Sequence, residues 1–112
     1  MKKALYGLVV LLLFSVVQFN VSDTFADKIG YKKIFTNNCQ KCHGKDGKGT
    51  KRGKGLGVPN FTDSEWQDAT TDKQMITAIT NGKKKMPKQG HKLSPEEIKA
   101  VVKYIRFFAP KK

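Results

Sequence analysis

Cys39 and Cys42 are the only cysteines in this chain of 112 residues, and they stand two residues apart with His43 immediately after them. A disulfide between them would close almost no loop, so it would restrict the unfolded chain very little. Residues 1–26 have the pattern of an export leader: Lys2 and Lys3 give a basic start, residues 4–19 are largely apolar, and Thr24, Phe25 and Ala26 put small residues at a cleavage position. The expected mature chain is residues 27–112, a single domain in a periplasmic or other extracytoplasmic compartment. An 86-residue chain buries only a modest apolar core and leans on a staple, a metal or a cofactor. The cysteine pair has to serve that need some other way than by bridging.

The rest of the chain reads as short helices joined by long loops. Ile29, Ile34 and Phe35 form a loose helical stripe, predicting a short helix whose last turn holds the cysteine pair. Residues 44–57 contain six glycines and, apart from Leu56, no large apolar residue, which predicts a loop with a mobile tip. A helical turn is expected over residues 62–66 with Thr62 or Asp63 as cap, and a helix over 72–81 with Met75, Ile76 and Ile79 on one face and Gly82 as the stop. The clearest helix is the last: Ser94 caps it, Pro95 opens it, Glu97 completes a capping box, and Ile98, Val101, Val102, Ile105 and Phe108 recur at helical spacing until Pro110. No segment alternates as a half-buried strand does, and no repeat is visible. The expected class is all-α, with three or four short helices wrapped around something that is not polypeptide.

Cys-x-x-Cys-His is the spacing that attaches a c-type haem. On one turn of chain two thiols reach the two vinyl-derived carbons on one porphyrin edge, and the next residue sits beneath the iron as proximal imidazole ligand. Thioether bonds would consume both Cys39 and Cys42, and His43 would ligate. Three other readings compete. A thioredoxin-like pair would need a strand and a βαβ context, which are missing; a zinc site would need a fourth ligand and adjacent Cys42 and His43 both on the metal; and the spacing could arise by chance. For the second axial position the candidates are Met75, Met86 and His91. Met75 lies in an apolar stripe, where methionine packs a core, and His91 stands in a polar run. Met86 precedes Pro87 in a basic loop, where the proline fixes the backbone and the thioether can point inward, so Met86 is the expected distal ligand, with a simple loop anchor as the alternative.

Taken together these residues resemble the class I c-type cytochromes, in particular short single-haem domains of bacterial respiratory chains. The resemblance runs from Ile34 and Phe35 through the Cys-x-x-Cys-His turn, Gly44, Asp46 and Gly47, then Val58, Pro59, Asn60, Phe61, Thr62 and Asp63, then residues 79–82, Met86 with Pro87, Leu93 with Ser94, and Tyr104. It implies one covalent haem on Cys39 and Cys42, axial ligation by His43 and Met86, and a Pro59 carbonyl that accepts the other imidazole N–H of His43. It further implies that Phe35 and Tyr104 meet where the first and last helices cross. Trp66 is similar to a tryptophan that packs beside the haem propionates in related domains, or is a core aromatic. Where the family often has glycine four residues before Phe35, this chain has Tyr31, with Gly30 one step earlier.

Charge gives the partner class. The full chain carries 22 Lys and Arg against 9 Asp and Glu, a net +13; without the leader's Lys2, Lys3 and Asp23 the balance is +12. Nucleic acid is not an expected partner of an exported protein. Lys41, Lys45, Lys48, Lys51, Arg52 and Lys54 surround the attachment turn, and Lys83, Lys84, Lys85, Lys88 and Lys92 surround Met86, with Asp46 the lone acid among them. In the class I fold those segments flank the exposed haem edge. The expectation is therefore a monomeric, soluble one-electron carrier, not an enzyme and not stably inserted in a membrane after leader cleavage. Acidic redox proteins would dock on a face including Lys41, Lys45, Lys83, Lys84, Lys85 and Lys88. The alternatives are a merely solvated lysine surface, a haem enzyme or sensor in which Met86 leaves the iron, and a tethered subunit that keeps the apolar segment as anchor, although 16 residues are short for a span of about 20.

Overall fold

The computed structural model describes residues 29–111, so the expected leader, residues 1–26, lies outside the described residues. Six helical segments follow in order: α1 Tyr31–Asn38, α2 Gln40–His43, α3 Lys51–Gly55, α4 Ser64–Ala69, α5 Asp72–Asn81 and α6 Pro95–Phe107. Among the described residues there is no strand, only an isolated bridge between Lys83 and Met86. The all-α class holds, with more and shorter segments than the sequence pattern suggested. No helix among the described residues is long and apolar enough to cross a membrane.

The two longest helices begin where their caps dictate. Thr71 accepts from Gln74 N while the Gln74 side chain accepts from Thr71 N, and Ser94 and Glu97 make the same reciprocal pair. Each box satisfies two amide donors that would otherwise face water alone at a helix start. The apolar stripe of α6 then meets α1 and α5. Phe35, 1% exposed, and Val101, with no exposed surface, are the most buried side chains, and Ile34, Phe61, Met75, Ile79, Leu93, Ile98, Val102 and Ile105 complete the cluster. Met75 is thus a core residue, as its stripe predicted.

Where α1 crosses α6 the contact is aromatic. Phe35 meets Tyr104 edge-on at 5.0 Å between ring centroids, the pair that the family resemblance implied. Tyr31, in place of the expected glycine, is buried against Tyr104 at 5.2 Å and Phe107 at 6.1 Å. Gly30 takes the left-handed conformation that lets the chain enter α1, with φ of 69°. At this position the crossing carries a buried aromatic ring where the resemblance implied a glycine.

Two expectations about the attachment region change. The first helix does not run through the cysteine pair: it ends at Asn38, Cys39 departs to φ −122°, and α2 is a separate turn carrying Cys42 and His43. Residues 44–57 are not a featureless loop either. Thr50 caps α3 by accepting from Gly53 N at 3.0 Å, while its hydroxyl donates to the Lys41 carbonyl at 2.8 Å. A threonine cap among lysines builds a helix that glycine content concealed. Gly53 lies directly on the Cys42 carbonyl, where an added Cβ would collide with backbone. Replacing Gly53 with Ala is expected to destabilise the protein by about 1–3 kcal/mol through overpacking; a denaturant midpoint equal to wild type would contradict the close crossing of α3 over α2.

A candidate haem-binding site

Each candidate ligand is placed by backbone bonds that finish a helix. A short turn such as α2 ends in carbonyls without intrahelical partners. Gly49 N donates to the His43 carbonyl at 2.8 Å and Thr50 N to the Cys42 carbonyl at 3.0 Å, so the chain folds back across the turn and α3 lies over it. Phe61 N donates to the Gly47 carbonyl at 2.9 Å, bringing a third segment alongside. The Phe61 ring, 3% exposed, stacks on the His43 imidazole at 4.7 Å with an interplanar angle of 15°.

Met86 is placed by the same logic at the end of α5. Gly82 N, Gln89 N and Gly90 N donate to the carbonyls of Ala78, Ile79 and Thr80, so the loop after α5 closes that helix's last turn. Between those anchors Lys83 and Met86 exchange backbone bonds at 3.1 and 2.9 Å, forming a tight hairpin with Lys84 in the left-handed region at φ 52°. The hairpin leaves Lys83, Lys84 and Lys85 exposed and sets Met86 half-buried against the core cluster. His91 is exposed.

The donor set suits a haem. Cys39 and Cys42 are unpaired thiols, both half-buried, on the turn that also carries His43. His43 Nδ1 is buried without a hydrogen-bond partner. An orphaned imidazole nitrogen is costly in a closed protein, and metal ligation on one ring nitrogen with an acceptor at the other removes that cost. The bond implied from Nδ1 to the Pro59 carbonyl is accordingly not formed in this structure; Pro59 is half-buried, two residues before Phe61. Among the described residues no group of three or more His, Cys, Asp and Glu is placed to hold a bare metal ion. Trp66 is half-buried and packs on Phe61 at 5.1 Å.

Burial sets the proton chemistry of the pair. It pushes the Cys39 thiol up to about 11, so a folded chain without haem offers little thiolate there. It also pushes His43 below its ordinary value, favouring the neutral imidazole that ligation requires.

These features are matched by known proteins. Residues 30–105 match the family described as cytochrome c oxidase, cbb3-type, subunit III. The chain belongs to the class I c-type cytochromes. Its relatives include the cbb3-type cytochrome c oxidase subunit FixP of Azorhizobium caulinodans, 42% identical over 84 residues that make up 74% of this chain and 27% of that protein. Cytochrome c6 of Anabaena variabilis is 37% identical over 71% of this chain and 90% of its own length. Among solved structures the KustC0563 c-type cytochrome is 42% identical, superposes with a TM-score of 0.68 and covers 70% of this chain and 95% of its own. The cytochrome spans about a quarter of the length of the cbb3-type subunits it matches. With the family comes a covalently bound c-type haem.

Sequence reasoning found the turn and the methionine loop but passed over Thr50 and Gly53, which build the roof of the turn, and over Phe61 as the ring lying on His43. Thr50 was legible as a cap. The contact of Phe61 with His43, eighteen residues apart, leaves no local pattern.

The direction of the His43 shift gives a pH dependence. The unfolded imidazole takes up a proton near 6.5 and the folded one resists it, so the unfolded state binds more protons as pH falls. For the folded chain before haem attachment the denaturant midpoint is expected to fall between pH 7 and pH 5, the unfolding free energy changing by at most about 1.4 kcal/mol per pH unit for this one group. A flat midpoint over that interval would contradict a buried, neutral His43.

Proposed function

We propose that the cytochrome is a one-electron carrier of an extracytoplasmic compartment. In this reading Cys39 and Cys42 would hold the haem through thioethers, His43 and Met86 would ligate its iron, and Pro59 would accept the remaining imidazole N–H. Bound there, the haem supplies a one-electron iron couple, and thioether ligation favours its reduced state relative to a second imidazole. The chain does the rest. Phe61 covers one face of His43, α3 closes over the attachment turn, and the α5 terminus holds the methionine loop in register. Two protein ligands would leave no coordination position for oxygen or peroxide, which would favour transfer over catalysis.

The observation that carries the carrier role is the placement of charge. All eleven basic side chains flanking the two ligand segments are exposed, at positions 41, 45, 48, 51, 52, 54, 83, 84, 85, 88 and 92. Asp46, the one acid among them, has a carboxylate oxygen that accepts from Lys48 N at 3.0 Å, tying it to its own loop. A field of one sign around the ligand loops steers an acidic partner and gives weak, rapidly exchanging contact. A second reading has support in the cbb3-type subunits among the relatives: the apolar residues 4–19 could stay attached as a tether, and the cytochrome would then relay electrons within a complex. The intact mass of the mature protein distinguishes a cut leader from a kept one.

The second-order rate of reduction by an acidic redox protein is expected to fall several-fold as ionic strength rises from about 0.01 M, where charges act over roughly 30 Å, to about 0.15 M, where they act over roughly 8 Å. Charge reversal at Lys84 and Lys85 should flatten that dependence. A rate that does not change with salt removes the docking face from the account.

A further inference from the structure

Gln67 is 6% exposed, on a six-residue helix that has no apolar stripe to account for it. Every polar atom of its side chain is used. Nε2 donates to the Phe61 carbonyl at 2.8 Å and to the Ile105 carbonyl at 3.0 Å, and Oε1 accepts from Arg106 Nη1 at 2.9 Å. Arg106 comes from the last turn of α6 and reaches the C-terminal end of α4. There it also donates to the Gln67 carbonyl and the Thr70 carbonyl, both at 2.6 Å, and pairs with Asp72 at 2.9 Å. These are the carbonyls that a helix end leaves without partners, and α4 has no basic residue of its own in its last turn. One guanidinium therefore closes α4, fixes the carboxamide and anchors both to α6.

The carboxamide's first acceptor is the backbone of Phe61, whose ring lies flat on His43 at 4.7 Å. The opposite end of that residue is also tied, by Phe61 N to the Gly47 carbonyl at 2.9 Å. With both backbone groups held, and with Trp66 and Phe108 against it at 5.1 and 6.0 Å, the ring has little freedom to tilt. We propose that Gln67, locked by Arg106, is a positioning residue for His43: by holding the Phe61 backbone it sets the plane of the imidazole and, through that plane, the electronic state of the haem iron. The inference rests on the reading of His43 as axial ligand. It places the control of the proximal ligand on a hydrogen-bonded knot between α4 and α6, thirty-nine residues apart in sequence, and not only on the acceptor at Nδ1.

The test uses the haem-loaded mature protein and three variants. Gln67→Leu keeps the volume and removes both donors. Phe61→Leu leaves the backbone bond in place and removes the ring, so it serves if the first variant does not assemble. Ile98→Val lowers stability in the α6 core without touching the knot. Two readouts follow: the spread of the haem methyl proton shifts in the oxidised protein, which reports the orientation of the imidazole plane, and the midpoint potential. Gln67→Leu and Phe61→Leu are expected to redistribute the methyl shifts and to change the reduced-to-oxidised equilibrium three- to tenfold, or ~30–60 mV at 59 mV per decade for one electron. Ile98→Val should lower the melting temperature and leave both readouts at wild type. Wild-type shifts and potential in both test variants, or the same changes in Ile98→Val, overturn the positioning role. An unmutated protein whose spectrum lacks imidazole ligation overturns the ligand reading and this inference with it, whereas imidazole ligation in wild type with unmoved variants overturns this inference alone.

Discussion

The structure depends on one short turn being held from outside itself. Four residues of helix cannot satisfy their own ends, yet α2 has to keep two thiols and an imidazole on fixed bearings. The carbonyls of Lys41, Cys42 and His43 are all taken by Gly49 and Thr50, and Thr50 in turn starts the helix that lies over the turn. A threonine hydroxyl that donates to one segment and accepts from the next links attachment site and roof in a single contact. The glycines around it serve close approach: at Gly53 a side chain would enter the Cys42 backbone, and at Gly47 it would enter the Phe108 ring. Flexibility in sequence becomes tight packing in the fold.

The methionine side is built by the opposite arrangement, a loop held by the end of a long helix. Three amides of residues 82–90 close the last turn of α5, so Met86 sits on a segment whose position is fixed by α5 and hence by the core of Met75, Ile79, Ile98 and Val101. Because the hairpin leaves three lysines exposed while setting its methionine against the core, the placement of the proposed ligand and the surface charge are consequences of the same turn. A carrier needs that coupling, since the face from which the electron leaves has to be the face the partner finds.

The start of α6 was readable because Ser94 and Glu97 act within four residues of each other, and α5 was readable from its apolar stripe and the Gly82 stop, although its Thr71 and Gln74 cap was not read. The cysteine turn stood out because haem attachment asks for particular residue types at a particular spacing, and Met86 because Pro87 follows it in a polar loop. The short helices fared worse. In residues 51–55 the glycine and lysine content concealed one threonine cap, and the chain breaks at Cys39, φ −122°, where no glycine or proline marks a helix end. The Gln67–Arg106 knot was invisible for a different reason: a glutamine and an arginine on separate helices read as surface residues until the fold brings them together. Tyr31 shows the reverse case, a departure from family pattern that was legible in the sequence and is accommodated by a tilted ring contact with Tyr104.

The central claim is that His43 and Met86 close the iron between them. The oxidised protein with Met86→Ala is the most direct test. Wild type is expected to show a weak sulfur-to-iron band in the far red and, when reduced, to bind no carbon monoxide; Met86→Ala should lose the band and bind carbon monoxide readily, while Met75→Leu keeps wild-type behaviour. Persistence of the band in Met86→Ala, or its loss in Met75→Leu, would contradict the account.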